Sequence, residues 1–499
     1  MTPSRLILAI DQGTTSTRAV VFDDQARVVA SAQTELTQHF PRPGWVEHDA
    51  TEILSDAIAV ARHAVAQAGV EMREIEALGI TNQRETTIVW ERASGEPVSN
   101  AIVWQCRRTA DACAELVMRG HGDDIRDRTG LVVDPYFSAT KLRWLLDHIP
   151  DGQRRAEDGD LCFGTVDSWL LFRFTGGRAH ATDATNAART MLLNLHDLEW
   201  DPVLLRLFDV PEAMLPQVLS SAGEFGTTAA EVLGAEIPVT GVAGDQHAAL
   251  YGQACFSPGM VKCTYGTGAF VLANAGTRAP KPAEGLLGTL GWRVGSSRTY
   301  AIEGSVFVTG AAVQWLRDGL GLIGSAAETG DLAETLADNE GVYMVPAFVG
   351  LGAPHWDPDA RGVVVGLTRG TGREHFARAA LEATAYQVRD VMGAMADSRG
   401  RSSDTPLRAD GGQTANRFLM QFQADILDRP VEVCSVPETT ALGAALLAGR
   451  GAGIWRSESE IGGLWRSSDR YEPRMSEGER FRLVSGWYDA VRRAASATG

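Results

Sequence analysis

Asp11 closes an apolar run that begins at Leu6, and a compact polar string follows it: Gln12, Gly13, Thr14, Thr15, Ser16, Thr17, Arg18. Backbone N–H groups and hydroxyls in such a turn can donate to phosphate oxygens, and the guanidinium offsets their charge. The carboxylate can hold Mg²⁺, directly or through water. An ordinary hairpin with a glycine turn is the alternative. Three further constellations sit where apolar runs end: Arg84-Glu85, Asp245-Gln246, and the glycine turns Gly266-Thr267-Gly268 and Gly411-Gly412. Strand ends are where α/β folds collect catalytic groups. For Asp245 the competing reading is a helix N-cap, and for Arg84 and Glu85 a surface ion pair.

The elements that must carry these groups follow from periodicity. Two apolar strands flank the first turn, and a third is predicted over 27–33. A helix is predicted from Asp49, with Glu52 completing a capping box and Ile53, Ala57, Ala61, Ala64 and Ala68 on its inner face. Strands are expected at 75–80, 86–90 and 101–104, and helices at 107–118 and 140–148. Residues 183–238 lack a clear period and read as loops and short helices. A strand over 237–244 then leads into Asp245 and a small-residue helix over 248–254. Turn-rich Phe256-Ser-Pro-Gly259 divides the chain into 1–254 and 255–499. The second part restarts as strand, Gly/Thr turn and strand around Gly266, faintly echoing the first. The strand at 407–409 precedes Gly411 and a helix carrying Leu419, Phe422 and Ile426. Residues 476–499 read as a charged helix anchored by Phe481, Val484 and Trp487.

A chain of 499 residues with a formal net charge of −17 suits two large domains. That charge argues against broad binding to nucleic acid or anionic membrane. No run of apolar residues is long enough for a membrane span, and no leader pattern stands at the start. Six scattered cysteines (106, 113, 162, 255, 263 and 434) form no Cys-x-x-Cys pair. They read as reduced, buried thiols of a cytoplasmic protein.

Two long strings carry a family resemblance. One runs from Tyr136 through Ser138, Lys141 and Trp144 to His148. The other runs from Gly362 through Gly366 to His375, Phe376 and Glu382. The chain resembles the FGGY carbohydrate kinases on these strings. Within them it resembles the branch that phosphorylates glycerol, on the stretches 79–90, 102–108 and 134–137 and on Ala243-Gly-Asp-Gln246. The resemblance implies an α/β fold of two actin-like, ribonuclease H-like ATPase domains, mixed sheets flanked by helices around a central cleft. It implies ATP and Mg²⁺, glycerol as acceptor, sn-glycerol 3-phosphate as product, and homodimers or homotetramers.

Residue by residue, Asp245 resembles the family's general base. Arg84, Glu85, Tyr136 and Gln246 match its polyol contacts, with Trp104 and Phe270 packing on the carbon chain, although aromatics there also suit plain core. Thr14, Thr15, Ser16 and Arg18 match the first phosphate loop, and Gly266 and Thr267 the second. Gly310 and Gln314 match nucleotide contacts, and Gly411, Gly412 and Asn416 the adenosine end. Asp11, with Asp245, would organise the metal. His247, Gln413, Thr414, Arg417 and Ala139 depart from the usual pattern. Glu236 and Glu231 stand where some relatives carry a sugar-bisphosphate Arg and a phosphorylatable His, so neither control is expected here. A kinase for a ketose such as xylulose, or a non-enzymatic actin-like module, is the rival reading.

Overall fold

The computed structural model describes residues 5–399 and 405–496. One mixed sheet of thirteen strands runs through both parts of the chain. In chain order its strands are β1 (Leu6–Gln12), β2 (Ser16–Phe22), β3 (Val28–Glu35), β4 (Ile75–Asn82), β5 (Ala222–Thr227), β6 (Pro238–Gly244) and β7 (Val261–Tyr265). There follow β8 (Ala269–Gly276), β9 (Leu287–Val294), β10 (Ser297–Val306), β11 (Leu407–Asp410), β12 (Val431–Cys434) and β13 (Ser467–Tyr471). Across the sheet they lie β13-β12-β11-β7-β8-β10-β9-β5-β6-β4-β1-β2-β3.

The faint sequence echo is a repeat of topology. In the first part β1 pairs antiparallel with β2 and parallel with β4, and β4 runs parallel to β6. In the second, β7 pairs antiparallel with β8 and parallel with β11, and β11 runs parallel to β12. The parts meet in the sheet through a single parallel pairing, Ala222 of β5 opposite Val294 of β9. β1 and β4 read as near-continuous apolar runs because they are central strands covered on both faces.

Helices α1 (Ala50–Gln67), α2 (Ser138–His148), α3 (Asp245–Gly252), α4 (Arg373–Arg399), α5 (Arg417–Leu427), α6 (Thr439–Gly451) and α7 (Glu477–Ala494) are the ones that matter for the cleft. Ile53, Ala57, Ala61 and Ala64 of α1 are buried, as their spacing predicts. The predicted capping box is not formed. Asp49 caps Thr51 N–H, but Glu52 reaches outward and accepts from Thr37 N–H at 3.0 Å, a free donor on the incoming loop. In α7, Val484 and Trp487 are buried, whereas Phe481 is 74 % exposed. It falls outside the arc held by Leu483, Val484, Trp487, Ala490, Val491 and Ala494, so it anchors nothing. The end of that predicted helix, 497–499, lies outside the described residues. All six cysteines are free and buried. Among the described residues no helix is long and apolar enough to cross a membrane.

Candidate functional site

At the end of β4 the chain turns through Gln83, Arg84 and Glu85. Glu85 holds a left-handed φ of 61°, a conformation that costs free energy outside glycine and persists only when neighbours over-determine it. Its carbonyl accepts from Thr87 Oγ1 and from Ser138 Oγ at the start of α2, both at 3.0 Å. The side chains of Arg84 and Glu85 are thereby turned inward, 3 % and 1 % exposed. The surface ion-pair reading is therefore excluded.

Arg84 faces three partners, pairing with one by charge and donating hydrogen bonds to the other two. Nε meets Asp245 Oδ1 at 3.0 Å. Nη1 and Nη2 fork onto Glu303 of β10 at 2.6 and 3.0 Å. Nη2 also lies 3.4 Å from the Tyr136 hydroxyl. Arg189 completes the cluster, with Nε donating to Glu85 Oε1 at 2.6 Å and Nη2 to Glu303 Oε1 at 3.3 Å. Burial pushes the carboxyl of Glu85 up against the pull of Arg189 and Arg84. For Glu303 burial pushes the same way, but Arg189 and Arg84 outweigh it and hold that group well below the usual carboxylate range.

Asp245 opens α3, directly after the N-cap Gly244. Its side chain is 29 % exposed, in contrast to its buried partners, and Oδ1 accepts from Gln246 N–H at 2.6 Å. Burial raises its carboxyl and Arg84 opposes the rise. Asp11 feels the same carboxylate: burial and the charge of Asp245 push it up to about 7, with Arg18 opposing. Gln246 accepts from the buried ammonium of Lys262, which also donates to Thr264 Oγ1 at 2.9 Å. His247 is fully buried within α3, near Thr289 at 3.4 Å, and burial keeps it neutral.

The aromatic residues connect this cluster to the first turn. Trp104 meets Tyr136 edge to face, centroids 5.4 Å apart, and its indole N–H donates to Thr14 Oγ1 at 2.9 Å. Thr15 and Ser16 complete the turn, in which Gly13 N–H donates to Ser16 O at 2.9 Å. Arg18, opposite Asp11 across the hairpin, pairs with Glu438 and donates to Gln33 at 3.1 Å. Phe270 is half-buried on β8, opposite Ser305.

The second turn borders a cavity of about 720 Å³, a volume that suits a nucleotide-sized ligand. Gly266, Thr267, Gly310, Gln314, Gly412 and Asn416 all line it, with Thr329 and Phe418. Thr14, Thr15, Ser16 and Arg18 are not in its wall. Gly411 adopts φ 94°, and a Cβ there would stand 2.4 Å from Tyr265 O, so the close seam between the two turns requires glycine. Gln413, a departure in sequence, braces the phosphate-type turn by donating to Gly266 O at 2.5 Å and Thr309 Oγ1 at 2.9 Å. Asn416 both caps α5 and donates to Thr329 Oγ1 at 3.1 Å.

Sequence reasoning missed Arg189, Glu303 and Lys262. Glu303 had a signal, a lone acid inside the apolar strand β10. Lys262 had a weaker one of the same kind in β7. Arg189 lies in the aperiodic middle and had none.

Residues 6–252 match the N-terminal domain of the FGGY family of carbohydrate kinases, and residues 261–452 match its C-terminal domain. The chain is 55% identical over 490 residues to glycerol kinase 2 of Thermotoga maritima, covering 98% of this chain and 99% of that one. It is 57% identical to glycerol kinase of Rhodospirillum rubrum, with 98% and 99% covered. The crystal structure of Plasmodium falciparum glycerol kinase with ADP superposes with a TM-score of 0.93 at 37% identity, covering 98% of each chain. With both family domains matched in order and the fold shared end to end, the chain belongs to the FGGY family of carbohydrate kinases.

Proposed function

We propose that this chain transfers the γ-phosphoryl group of ATP to glycerol, giving sn-glycerol 3-phosphate and opening glycerol catabolism. The observation that carries this reading is the Arg84–Glu85–Tyr136–Asp245 cluster of donors and acceptors suited to vicinal hydroxyls, in a chain that also holds a nucleotide-sized cavity. Identity above one half to glycerol kinases over nearly the whole chain supports the same substrate. The repeat of topology supports a division into 1–254, with the polyol site and first phosphate loop, and 255–499, with the nucleotide cavity.

In this reading Arg84 and Tyr136 donate to the polyol, Glu85 accepts from it, and Gln246 adds an amide. Trp104 and Phe270 flank the carbon chain. Asp245 is the one partly exposed carboxylate of the cluster and takes the proton of the attacking hydroxyl. Thr14, Thr15, Ser16 and Arg18 receive phosphate oxygens from one side, and Gly266 and Thr267 from the other. Gly310, Gln314, Gly411, Gly412 and Asn416 seat the nucleoside. Little further chemistry is asked of the protein, since phosphoryl transfer depends mainly on position and charge. Closure of the two domains keeps water from competing with the acceptor.

Asp11 and Asp245 fit a divalent cation. They are mutually repelling carboxylates, and the guanidinium nearest Asp11 is drawn toward Glu438. Among the described residues no three His, Cys, Asp or Glu side chains gather into a metal cage, which suits Mg²⁺ shared with phosphates. When bound there, Mg²⁺ would offset phosphate charge. The family reading also carries a cytoplasmic location and homodimeric or homotetrameric assembly.

ATP consumption measured against a panel of polyols and ketoses tests the proposal. Glycerol should give the highest kcat/KM. Preference for xylulose would overturn the substrate, and ATP binding without polyol-stimulated turnover would make the chain a binding module.

A further inference from the structure

Arg189 takes no part in the transfer described above, yet its guanidinium is fully buried among the polyol cluster's carboxylates. We propose that Arg189 is a positioning residue: it fixes the Glu85 carboxylate in one orientation as a hydrogen-bond acceptor for a substrate hydroxyl. The proposal rests on reading the cleft as a polyol site.

Arg84 cannot do this work. Its Nε is on Asp245 and its terminal nitrogens fork onto Glu303. Glu85 lies 4.0 Å from Arg84 Nε, beyond hydrogen-bond reach. Arg189 Nε, at 2.6 Å, is the donor that reaches a Glu85 carboxylate oxygen among the described residues. With Oε1 so engaged, Oε2 is left for the ligand. Arg189 is itself immobilised. Its guanidinium lies 5.5 Å from the Tyr136 ring centre and 5.3 Å from that of Phe137. It follows the short helix Ala184–Ala187, which ties down both strand ends of the site. Asn186 and Asn82 exchange amide hydrogen bonds at 3.0 and 3.1 Å, and Thr185 Oγ1 accepts from Gly244 N–H at 2.9 Å.

The charge balance makes the role testable. Glu85 is faced by Arg84, Arg189, Glu303, Tyr136 and Lys141. Lys141 directs its ammonium at the carbonyls of Pro135 and Tyr136, not at Glu85. Without Arg189, two buried carboxylates share Arg84, whose fork already belongs to Glu303. Glu85 then takes up a proton, since like charges in one buried site cannot both persist. A protonated Glu85 is a poor acceptor for the hydroxyl until rising pH ionises it.

The test is glycerol kinetics of Arg189→Met and Arg189→Lys from pH 6 to 9, with the KM for ATP as the internal control. Arg189→Met should raise the glycerol KM about 10- to 100-fold at neutral pH, with the KM for ATP within about twofold. That glycerol KM should fall as pH rises, a dependence absent from the wild type. Arg189→Lys keeps the charge but not the two-pronged hold, so its KM should rise without the new pH dependence. In a Glu85→Gln background, Arg189→Met should add no pH dependence. A pH-independent glycerol KM in Arg189→Met, or equal loss toward ATP and glycerol, overturns the proposal. If Arg189→Met does not fold, a glycerol KM in Arg189→Lys within twofold of wild type overturns it. Wild-type protein that ignores every polyol sinks the reading of the cleft instead.

Discussion

Asp245 is the most exposed acid of its cluster, its side chain 29 % exposed against 1 % for Glu85 and 0 % for Glu303. Glu303 has both oxygens tied to guanidinium groups, and Glu85 has one oxygen held by Arg189, so each is already committed to an arginine. Asp245 shares Arg84 through one oxygen, and burial lifts its carboxyl above the ordinary value, which strengthens it as a base. Asp245→Asn keeps the size and the Arg84 contact but removes the proton acceptor. Its kcat should fall about 10²- to 10⁴-fold. Affinity for ATP without metal should persist, because Asp245 does not line the cavity that seats the nucleoside. Single-turnover assays with a parallel ATP-binding titration check this, and near-normal turnover would remove Asp245 from the base role.

At the scale of elements, what holds the first turn is a stack of amides at the ends of β1 and β4. Gln83 donates its side-chain amide to Gln12 Oε1 at 3.0 Å, to Gly13 O at 3.2 Å and to His48 Nδ1 at 3.2 Å. His48 must stay neutral to accept. Burial pushes it from 6.5 down to about 4, with Glu52 opposing. A folded value below the unfolded one means that the unfolded chain binds the proton first. The stability it contributes is complete above pH 6.5 and is lost as pH falls toward 4. By pH 5 that loss is roughly 2 kcal/mol. His48→Gln should therefore lose about that much less stability than wild type between pH 7 and pH 5, read from denaturant midpoints. Equal losses would take His48 out of the account.

The same elements explain what was readable from sequence. Arg84, Glu85 and Asp245 were legible because each stands where an apolar strand ends, and the stretches 79–90 and Ala243-Gly-Asp-Gln246 fix their context. Arg189 was not, since it lies in the aperiodic middle and its contact with Glu85 spans 104 positions. Glu303 carried the signal of a lone acid in β10, but nothing local tied it to Arg84, 219 positions away. The helix Ala184–Ala187 has four residues, too few to show a helical period, so the segment bracing the site read only as part of a run of loops and short helices. The thirteen-strand order was hidden for the same reason, although the paired Gly/Thr turns foretold its internal repeat.

For the whole molecule, the central question is what allows two parts joined by one strand pairing to work as a unit. The answer lies in two helices that cross the boundary. α3 belongs to the first part and packs over β7, β8 and β9 of the second. α6 belongs to the second part and lies on β1, β4 and β6 of the first. The helices meet where a Cβ on Gly443 would stand 1.8 Å from the carbonyl oxygen of Ala248. That oxygen is main chain, so it cannot swing aside as a side-chain tip would. Gly443→Ala must separate the helices, and α3 carries Asp245 at its first position. Overpacking of this kind costs roughly 1–3 kcal/mol, which exceeds the helix-propensity gain of about 1 kcal/mol from replacing glycine. The substitution should lower the unfolding midpoint and also reduce kcat, because Asp245 moves relative to the second-part nucleotide cavity. Substitution of the solvent-facing Gly478 of α7, where a Cβ meets nothing within 4 Å, supplies the control. Denaturant unfolding and steady-state kinetics on both variants separate the outcomes. If Gly443→Ala matches Gly478→Ala in both, the crossing is not what sets the distance between acceptor and nucleotide.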